Sequence, residues 1–332
     1  MAIPLGILSY DECMMDDEAL APLRQYYEIH DFRDWPSYDP QTLLEKCRSV
    51  EVLITGWQSP NLPVELADDK GRLRYVLHLR GSVRRVPKAL MEKGVAVTNW
   101  GNEVAGWMAE GAMTLLLCML KQLPALDAWT RGGPDERIWQ MFEPRLSSMI
   151  VGLYGFGPIG RRMAQLLEPF GASIAVYDPY AKDVPEHYRR CQTLRELFST
   201  CHAVSIHCGL NDTTRLSVTR ELLELLPQGG IIINTARGWI VDEAALAELV
   251  EQGRLVAGID VIHDETDWTR SPLAKCRGVV LTRHSIGLGK GFPPDKRPKE
   301  KLPDYAMHNL LSYAQGQPLM YEVPLEEYDL KT

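Results

Sequence analysis

Three titratable residues of this 332-residue chain stand where they could do proton and carboxylate chemistry: Arg237 in INTARG, Glu265 in GIDVIHDE and His284 in LTRHSIG. Each comes just after a short apolar run that reads as a strand. A guanidinium stays charged and offers a fork that fits a carboxylate, whereas an imidazole exchanges a proton near neutral pH. A reaction at a carbonyl beside a carboxylate needs a cation to hold the carboxylate and polarise the carbonyl, and an acid to protonate the developing alkoxide. A carboxylate beside the histidine would fix its tautomer and favour its charged form. Glu265 is the candidate, with Asp264 as an adjacent rival.

A second constellation precedes these. Gly155, Gly157 and Gly160 in GLYGFGPIGRRMA form G-x-G-x-x-G between an apolar run and a helix-compatible stretch. Glycines there let the backbone turn tightly and approach a pyrophosphate, whose charge then meets the free N–H groups of the helix start. Asp178, eighteen residues after Gly160, ends the next apolar run, where a carboxylate accepts hydrogen bonds from ribose hydroxyls. Pro179, Tyr180 and Ala181 supply no arginine for a 2'-phosphate, which favours NAD over NADP. The competing explanation is that the three glycines serve only tight β/α packing.

These residues need elements to position them. Leu5 to Leu8, Val52 to Thr55, Tyr75 to Leu79 and Val95 to Thr98 read as parallel strands alternating with helical stretches. A second series, Met149 to Tyr154, Ser173 to Tyr177, Ala203 to Ile206, Ile231 to Ile233, Leu255 to Ile259 and Val279 to Leu281, reads as a doubly wound sheet. Helices are expected over Arg161 to Glu168, Glu243 to Gln252 and Leu302 to Ala314. Ala105 to Leu126 reads as one long apolar helix, ended by Pro124 or soon after, on the hinge side between domains. The second series ends in Asp178, His207, Thr235, Asp260 and Thr282, polar groups along the edge at which open α/β sheets bind ligands.

Composition narrows the classes. With 45% hydrophobic residues the chain can bury two cores of ordinary domain size. A net charge of −8 gives no reason to expect nucleic-acid binding. Seven cysteines (13, 47, 118, 191, 201, 208 and 276), odd in number and without a C-x-x-C pair, argue against a disulfide framework or a metal site. The acidic N-terminal stretch is unlike a signal peptide, and no run reaches the roughly 20 apolar residues of a membrane span, so no membrane partner and a cytoplasmic location are expected.

Taken together, GFGPIG with Asp178, the INTARG arginine, the glutamate five residues after Asp260 and the histidine nineteen residues later resemble the D-isomer specific 2-hydroxyacid dehydrogenase family, which includes phosphoglycerate dehydrogenases. KGVAVTN, the MAE of the long helix and IHCGLNDTT are also similar to family segments, and the resemblance runs from about residue 50 to about 322. It implies an α/β chain of two Rossmann-like domains: an NAD-binding doubly wound sheet (102–289) inserted into a flavodoxin-like substrate domain (1–101 and 290–332). It implies Arg237 as substrate anchor, Glu265 and His284 as the acid/base pair, and Asp260 at the nicotinamide end. Further cofactor contacts are implied from Pro158, Ile159, His207, Cys208, Gly209, Thr214, Thr235, Ala236 and Gly287, with a cleft between domains and a homodimer built on the NAD domain. The activity implied is interconversion of a 2-keto acid and a D-2-hydroxy acid.

The chain departs from the family pattern in places. Arg283 and Gly209 replace prolines, an asparagine is replaced near Val104, and Gly56-Trp57-Gln58-Ser59 stands where phosphoglycerate enzymes carry an arginine. Gly81 and Ser82, within His78 to Val83, occupy the place of the loop whose N–H groups hold the substrate carboxylate in the family, and the resemblance implies them as substrate contacts. Arg80, Arg84, Arg85 and Arg283 suggest a substrate with a second anionic group, and a solvated basic surface explains them equally well. Trp57, Trp100 and Trp107 are read as packing rather than as an apolar wall, His263 as structural or cofactor-side, and Cys208 as a buried thiol rather than a nucleophile. The rival from another class is a non-catalytic NAD(H)-binding scaffold of the corepressor kind, for which the loop at Gly291 to Lys301 offers a docking segment. The intact Arg, Glu and His set favours turnover.

Overall fold

The computed structural model describes residues 2–9, 17–134, 145–287 and 302–330. Cys13, the expected boundary at residue 290 and the Gly, Pro and Lys-rich stretch 288–301 lie outside these residues. The chain divides into two compact units, Met1–Glu103 with Phe292–Thr332, and Val104–Gly291.

In the first unit, β1 (Ile3–Ile7), β2 (Tyr27–Asp31), β3 (Val52–Thr55), β4 (Tyr75–His78) and β5 (Ala96–Thr98) form an all-parallel sheet in the order β2-β1-β3-β4-β5. This is the flavodoxin-like order. β3 and β4 are buried at every position, as strands covered on both faces must be. The helix Asp304–Ala314 covers one face: Tyr27 Oη donates to Leu310 O at 2.6 Å and Tyr305 Oη to Leu79 O at 3.0 Å.

In the second unit, β6 (Ile150–Tyr154), β7 (Ser173–Tyr177), β8 (Arg189–Arg190), β9 (Ala203–Ile206), β10 (Gly230–Asn234), β11 (Leu255–Ile259) and β12 (Val279–Leu281) pair in the order β12-β11-β10-β9-β6-β7-β8, all parallel. The chain moves outward one way from β6 through β7 and the other way from β9 through β12. The switch point therefore falls between β6 and β9, where ligands bind in sheets of this kind. Two apolar clusters, one on each face, close the three layers.

The long apolar segment is two helices, Ala105–Leu120 and Leu123–Thr130, rather than one through Leu126. Gln122 takes a left-handed conformation at φ 50°, which ends a helix, and Pro124 lies in the first turn of the next, where its missing N–H costs nothing. The first helix packs on the Pro158–Leu167 helix and on β10 and β11. Trp107, read as packing, is 56% exposed on it. Two edge strands were missed by the sequence reading: β2 is only partly buried and β8 consists of two exposed arginines, so neither leaves an apolar run.

Candidate active site

β6 ends at Tyr154 and the chain turns at Gly155, whose φ of 98° suits glycine. A Cβ at Gly155 would stand 2.6 Å from the Cys208 backbone nitrogen, and one at Gly160 would stand 2.2 Å from Gly155 O. Packing by itself requires both glycines, whatever else they do. Gly157 is different: a Cβ there would meet nothing within 4 Å, so the space before the Pro158–Leu167 helix is open. Gly157 is the N-cap without a side-chain cap, Pro158 has no N–H, and the first helical bond runs from Arg161 N–H to Gly157 O at 2.9 Å. The N–H groups of Ile159 and Gly160 therefore precede the helical ladder, in the position at which helices bind anions.

Asp178 follows β7. Its Oδ2 accepts from Phe156 N–H at 2.7 Å, and its Oδ1 from Tyr180 and Ala181 N–H at 2.8 and 3.1 Å. The carboxylate thus ties its own loop to the glycine turn. Arg161 stacks over Phe156 at 4.6 Å and pairs with Asp183 rather than with Asp178.

Next along the edge, His207 shares a 2.9 Å hydrogen bond between Nε2 and Ser205 Oγ, and its buried Nδ1 has no partner among the described residues. Burial pushes its imidazole from the usual 6.5 down to about 4, so it is neutral at pH 7. Burial pushes the Cys208 thiol up to about 12, which leaves no thiolate for nucleophilic work. Thr214 Oγ1 donates to Gly209 O at 2.7 Å and accepts from Asn211 N–H at 2.8 Å, fastening the loop that includes Gly209.

Past β10, buried Asn234 arranges the segment that carries Thr235, Ala236 and Arg237. Its Oδ1 accepts from Ala236 N–H at 3.0 Å, and its Nδ2 donates to Arg237 O at 3.0 Å. Sequence reasoning did not single out Asn234, although an asparagine closing an isoleucine-rich strand was the available signal. The half-buried Arg237 guanidinium donates to Ala236 O at 2.7 Å. Gly238 allows no side chain, because a Cβ would lie 2.1 Å from the Ile262 carbonyl carbon.

Asp260 follows β11 and is 1% exposed. Its Oδ1 accepts from Thr282 Oγ1 at 2.5 Å, Ser285 N–H at 2.9 Å and Ile286 N–H at 3.1 Å. Its Oδ2 is buried and accepts nothing among the described residues, an arrangement that costs free energy unless a further donor arrives. Arg283 and His284 both take positive φ, 52° and 53°, unusual for side-chain-bearing residues and characteristic of functional sites. His284 N–H is held by Asp260 O at 2.6 Å. The turn presents the imidazole so that Nδ1 lies 2.9 Å from Glu265 Oε2. The rival Asp264 is occupied elsewhere: its Oδ1 accepts from the Thr266 hydroxyl at 2.5 Å and the Thr266 N–H at 3.0 Å, which hold its carboxyl below the usual carboxylate range. Gly287 packs against Met108, where a Cβ would meet the sulfur at 2.2 Å.

The first unit has its own carboxyl-edge cluster. Gly81 lies under Trp100, where a Cβ would meet the indole nitrogen at 2.5 Å, and its carbonyl accepts from Asn99 Nδ2 at 2.6 Å. Arg80 stacks over Trp57 at 4.8 Å, and Trp57 meets Trp100 edge-on at 5.5 Å. Arg84 donates to Ser82 Oγ at 3.3 Å and Arg85 to Asn61 Oδ1 at 3.3 Å, so only Arg80 of the three joins the aromatic pair.

Residues 113–285 match the model of the D-isomer specific 2-hydroxyacid dehydrogenase NAD-binding domain. The chain belongs to that family. Among curated 2-hydroxyacid dehydrogenase relatives it is 27% identical over 316 residues to a glyoxylate reductase of Aeropyrum pernix, covering 90% of each chain. Among solved structures it is similar in fold to the D-mandelate dehydrogenase of Rhodotorula graminis, with a TM-score of 0.80, 20% identity and 98% of each chain covered. An acyclic imino acid reductase solved with NADPH and D-arginine shares the fold at a TM-score of 0.77 and 21% identity, covering 97% of this chain and all of that one. The family places a nicotinamide dinucleotide in the second unit, and the residues there fit one: an open, uncapped helix start at Gly157, a carboxylate at the end of β7 and an orphaned carboxylate oxygen on Asp260.

Proposed function

We propose that the protein is an NAD-dependent oxidoreductase that interconverts a 2-keto acid and a D-2-hydroxy acid. The observation that carries this reading is the 2.9 Å contact between His284 Nδ1 and Glu265 Oε2, on the same sheet edge as the uncapped helix start at Gly157.

When bound, the cofactor supplies or accepts the hydride. The pyrophosphate is assigned to the Ile159 and Gly160 N–H groups, the adenosine ribose to Asp178, and the nicotinamide amide to Asp260 Oδ2. Asp178 would meet a 2'-phosphate with like charge, which supports NAD rather than NADP. His207, Cys208, Gly209, Thr214, Thr235, Ala236 and Gly287 complete the assigned cofactor contacts. In reduction, His284 donates a proton to the substrate's carbonyl oxygen, and Glu265 holds the imidazole ring and its positive charge. In oxidation the imidazole takes the proton back through the nitrogen that is not paired with Glu265. Arg237 is assigned to the substrate carboxylate, and Gly81 and Ser82 of the first unit are assigned to substrate binding. Arg80, with its guanidinium over the Trp57 ring, is assigned to a second anionic group on the substrate. The reading includes a cytoplasmic homodimer assembled through the NAD-binding unit.

The test is NADH consumption across a panel of 2-keto acids, from glyoxylate and pyruvate to dicarboxylic and aromatic members, with His284→Ala as control. Turnover lost in the variant supports the reading, and turnover in the variant equal to wild type sinks the assignment of His284. Tight NADH binding without turnover of any member would favour the scaffold alternative. If Arg80→Ala left KM unchanged for every accepted dicarboxylic substrate, the assignment of Arg80 would be wrong.

A further inference from the structure

Three side chains that the proposed chemistry does not use lie against one another along the active edge. The indole of Trp239 and the imidazole of His263 stack with centroids 4.0 Å apart and planes 5° from parallel. The guanidinium of Arg215 lies over the same indole at 4.1 Å. The three come from the segments after β10, β11 and β9 respectively. Each is within two residues of a proposed functional group: Arg215 follows Thr214, Trp239 is two after Arg237, and His263 is two before Glu265.

The neighbourhood shows why the stack matters there. The last backbone–backbone hydrogen bond between the β10 and β11 chains runs from Asp260 N–H to Asn234 O at 2.9 Å. Beyond it the two chains run on without ladder bonds, yet Gly238 still presses on Ile262 so closely that no Cβ fits. Trp239 on His263 is the next contact outward. His263 is fixed from behind, since its Nε2 lies 2.9 Å from Val241 O and so donates to it, and its N–H donates to Glu243 Oε2 at 2.8 Å. Glu243 is itself buried and accepts from Ser271 Oγ at 2.5 Å. On the other side, Leu216 N–H donates to Trp239 O at 2.7 Å and Val218 N–H to Ile240 O at 3.1 Å, which joins the segment after β9 to the one after β10. Leu216 takes a φ of 50° to make this join, strain that the seam must hold in place.

We infer that the Arg215–Trp239–His263 stack is a positioning device that sets Arg237 against the Glu265–His284 pair. Arg237 and Glu265 are both outside the regular ladder, and their relative position depends on a seam made by the Gly238 contact, the ring stack and the two hydrogen bonds of His263 to Val241 and Glu243. The stacked rings bury a flat face on one another, the two hydrogen bonds of His263 fix the lower ring, and the guanidinium over the indole adds cation–π attraction. The stack acts through Arg237 and Glu265. It rests on the function proposed above for those two residues.

Trp239→Ala is the direct test, with Trp239→Phe as the variant that keeps a flat ring. A displacement of about 1 Å at reacting groups costs on the order of a hundredfold in rate. The expected result is therefore a kcat lowered by about tenfold to a hundredfold in Trp239→Ala, with most of the loss recovered in Trp239→Phe. KM for NADH should change less than kcat, because the glycine turn and Asp178 are elsewhere on the edge and only Thr214, Thr235 and Ala236 of the assigned cofactor contacts adjoin the stack. A purely structural role would instead lower the melting temperature and reduce activity only in step with the folded fraction. Equal kcat per folded molecule in wild type and Trp239→Ala would overturn the inference. A readout free of turnover is the imidazole signal of His284 in the apoprotein, followed by NMR. It should move in Trp239→Ala and return in Trp239→Phe, and an unmoved signal overturns the positioning role. If wild type reduces no keto acid while this signal moves as expected, the dehydrogenase reading falls and the stack's hold on the loops stands.

Discussion

The backbone N–H of His284 donates to the carbonyl oxygen of Asp260 at 2.6 Å, so the proposed proton donor and the residue assigned to the nicotinamide end share one hydrogen bond. The Asp260 carboxylate adds two more, from Ser285 and Ile286, and a third from the Thr282 hydroxyl. One buried side chain thus shapes the whole turn.

Asp260→Ala should release three donors and lower stability by about 1–3 kcal/mol for each one left buried without an acceptor. Asp260→Asn keeps one acceptor oxygen and the side chain's shape, so its melting temperature should stay nearer to wild type. Its amide would present a donor where the orphaned Oδ2 stands, and kcat should fall by about tenfold or more. Thermal denaturation and steady-state kinetics on both variants check this, and an Asn variant with full activity would remove Asp260 from the cofactor site.

The three glycines should separate by experiment. Gly160→Ala drives a Cβ into Gly155 O, and Gly155→Ala meets the Cys208 backbone at a φ of 98°, so both should destabilise the apoprotein. Gly157→Ala meets nothing and sits at a φ of −73°, so its melting temperature should match wild type. Its NADH affinity should nevertheless drop by about tenfold or more, because the added methyl enters the open space to which the pyrophosphate is assigned. NADH titration by fluorescence decides the matter; unchanged affinity would mean the phosphate lies elsewhere.

Asp178→Ala removes the charge that disfavours a 2'-phosphate and also the acceptor for Phe156 N–H. NADH should bind about tenfold more weakly while NADPH loses little, so the ratio of the two dissociation constants moves towards NADPH. An unchanged ratio would take the ribose away from Asp178.

His207 makes a stability prediction with a defined sign. Its folded value is about 4 against an ordinary 6.5, so between these the unfolded chain binds more protons and stability rises with pH. The stabilisation is fully present above about pH 6.5 and is lost progressively as pH falls towards about 4. His207→Gln cannot titrate. The drop in apoprotein melting temperature between about pH 7.5 and about pH 5 should be smaller in the variant than in wild type. Equal drops would show that His207 takes its proton as readily folded as unfolded.

Much of this molecule could be read from the chain alone, because the signals are local. Buried parallel strands announce themselves as apolar runs, and Val52–Thr55, Ser173–Tyr177, Ala203–Ile206, Leu255–Ile259 and Val279–Leu281 were legible to the residue. The glycine turn was legible because a strand, three glycines and a helix are contiguous in sequence. The types and order of Arg237, Glu265 and His284 were legible for the same reason.

What tertiary structure decided are matters of direction and of edges. Asp264 and Glu265 are equivalent in sequence, and only the fold shows that one turns to Thr266 and the other to His284. β2 and β8 became strands because a neighbour offered unpaired backbone groups, not because their own residues demand it. The break at Gln122 depends on a left-handed backbone that a glutamine does not announce. Trp239 and His263 are twenty-four residues apart, and nothing local in either tells of the other. They meet because parallel pairing of β10 with β11 brings the chains beyond those strands side by side. Local propensity and spacing are written along the chain; which side chain faces which is set by the packing of segments far apart in it.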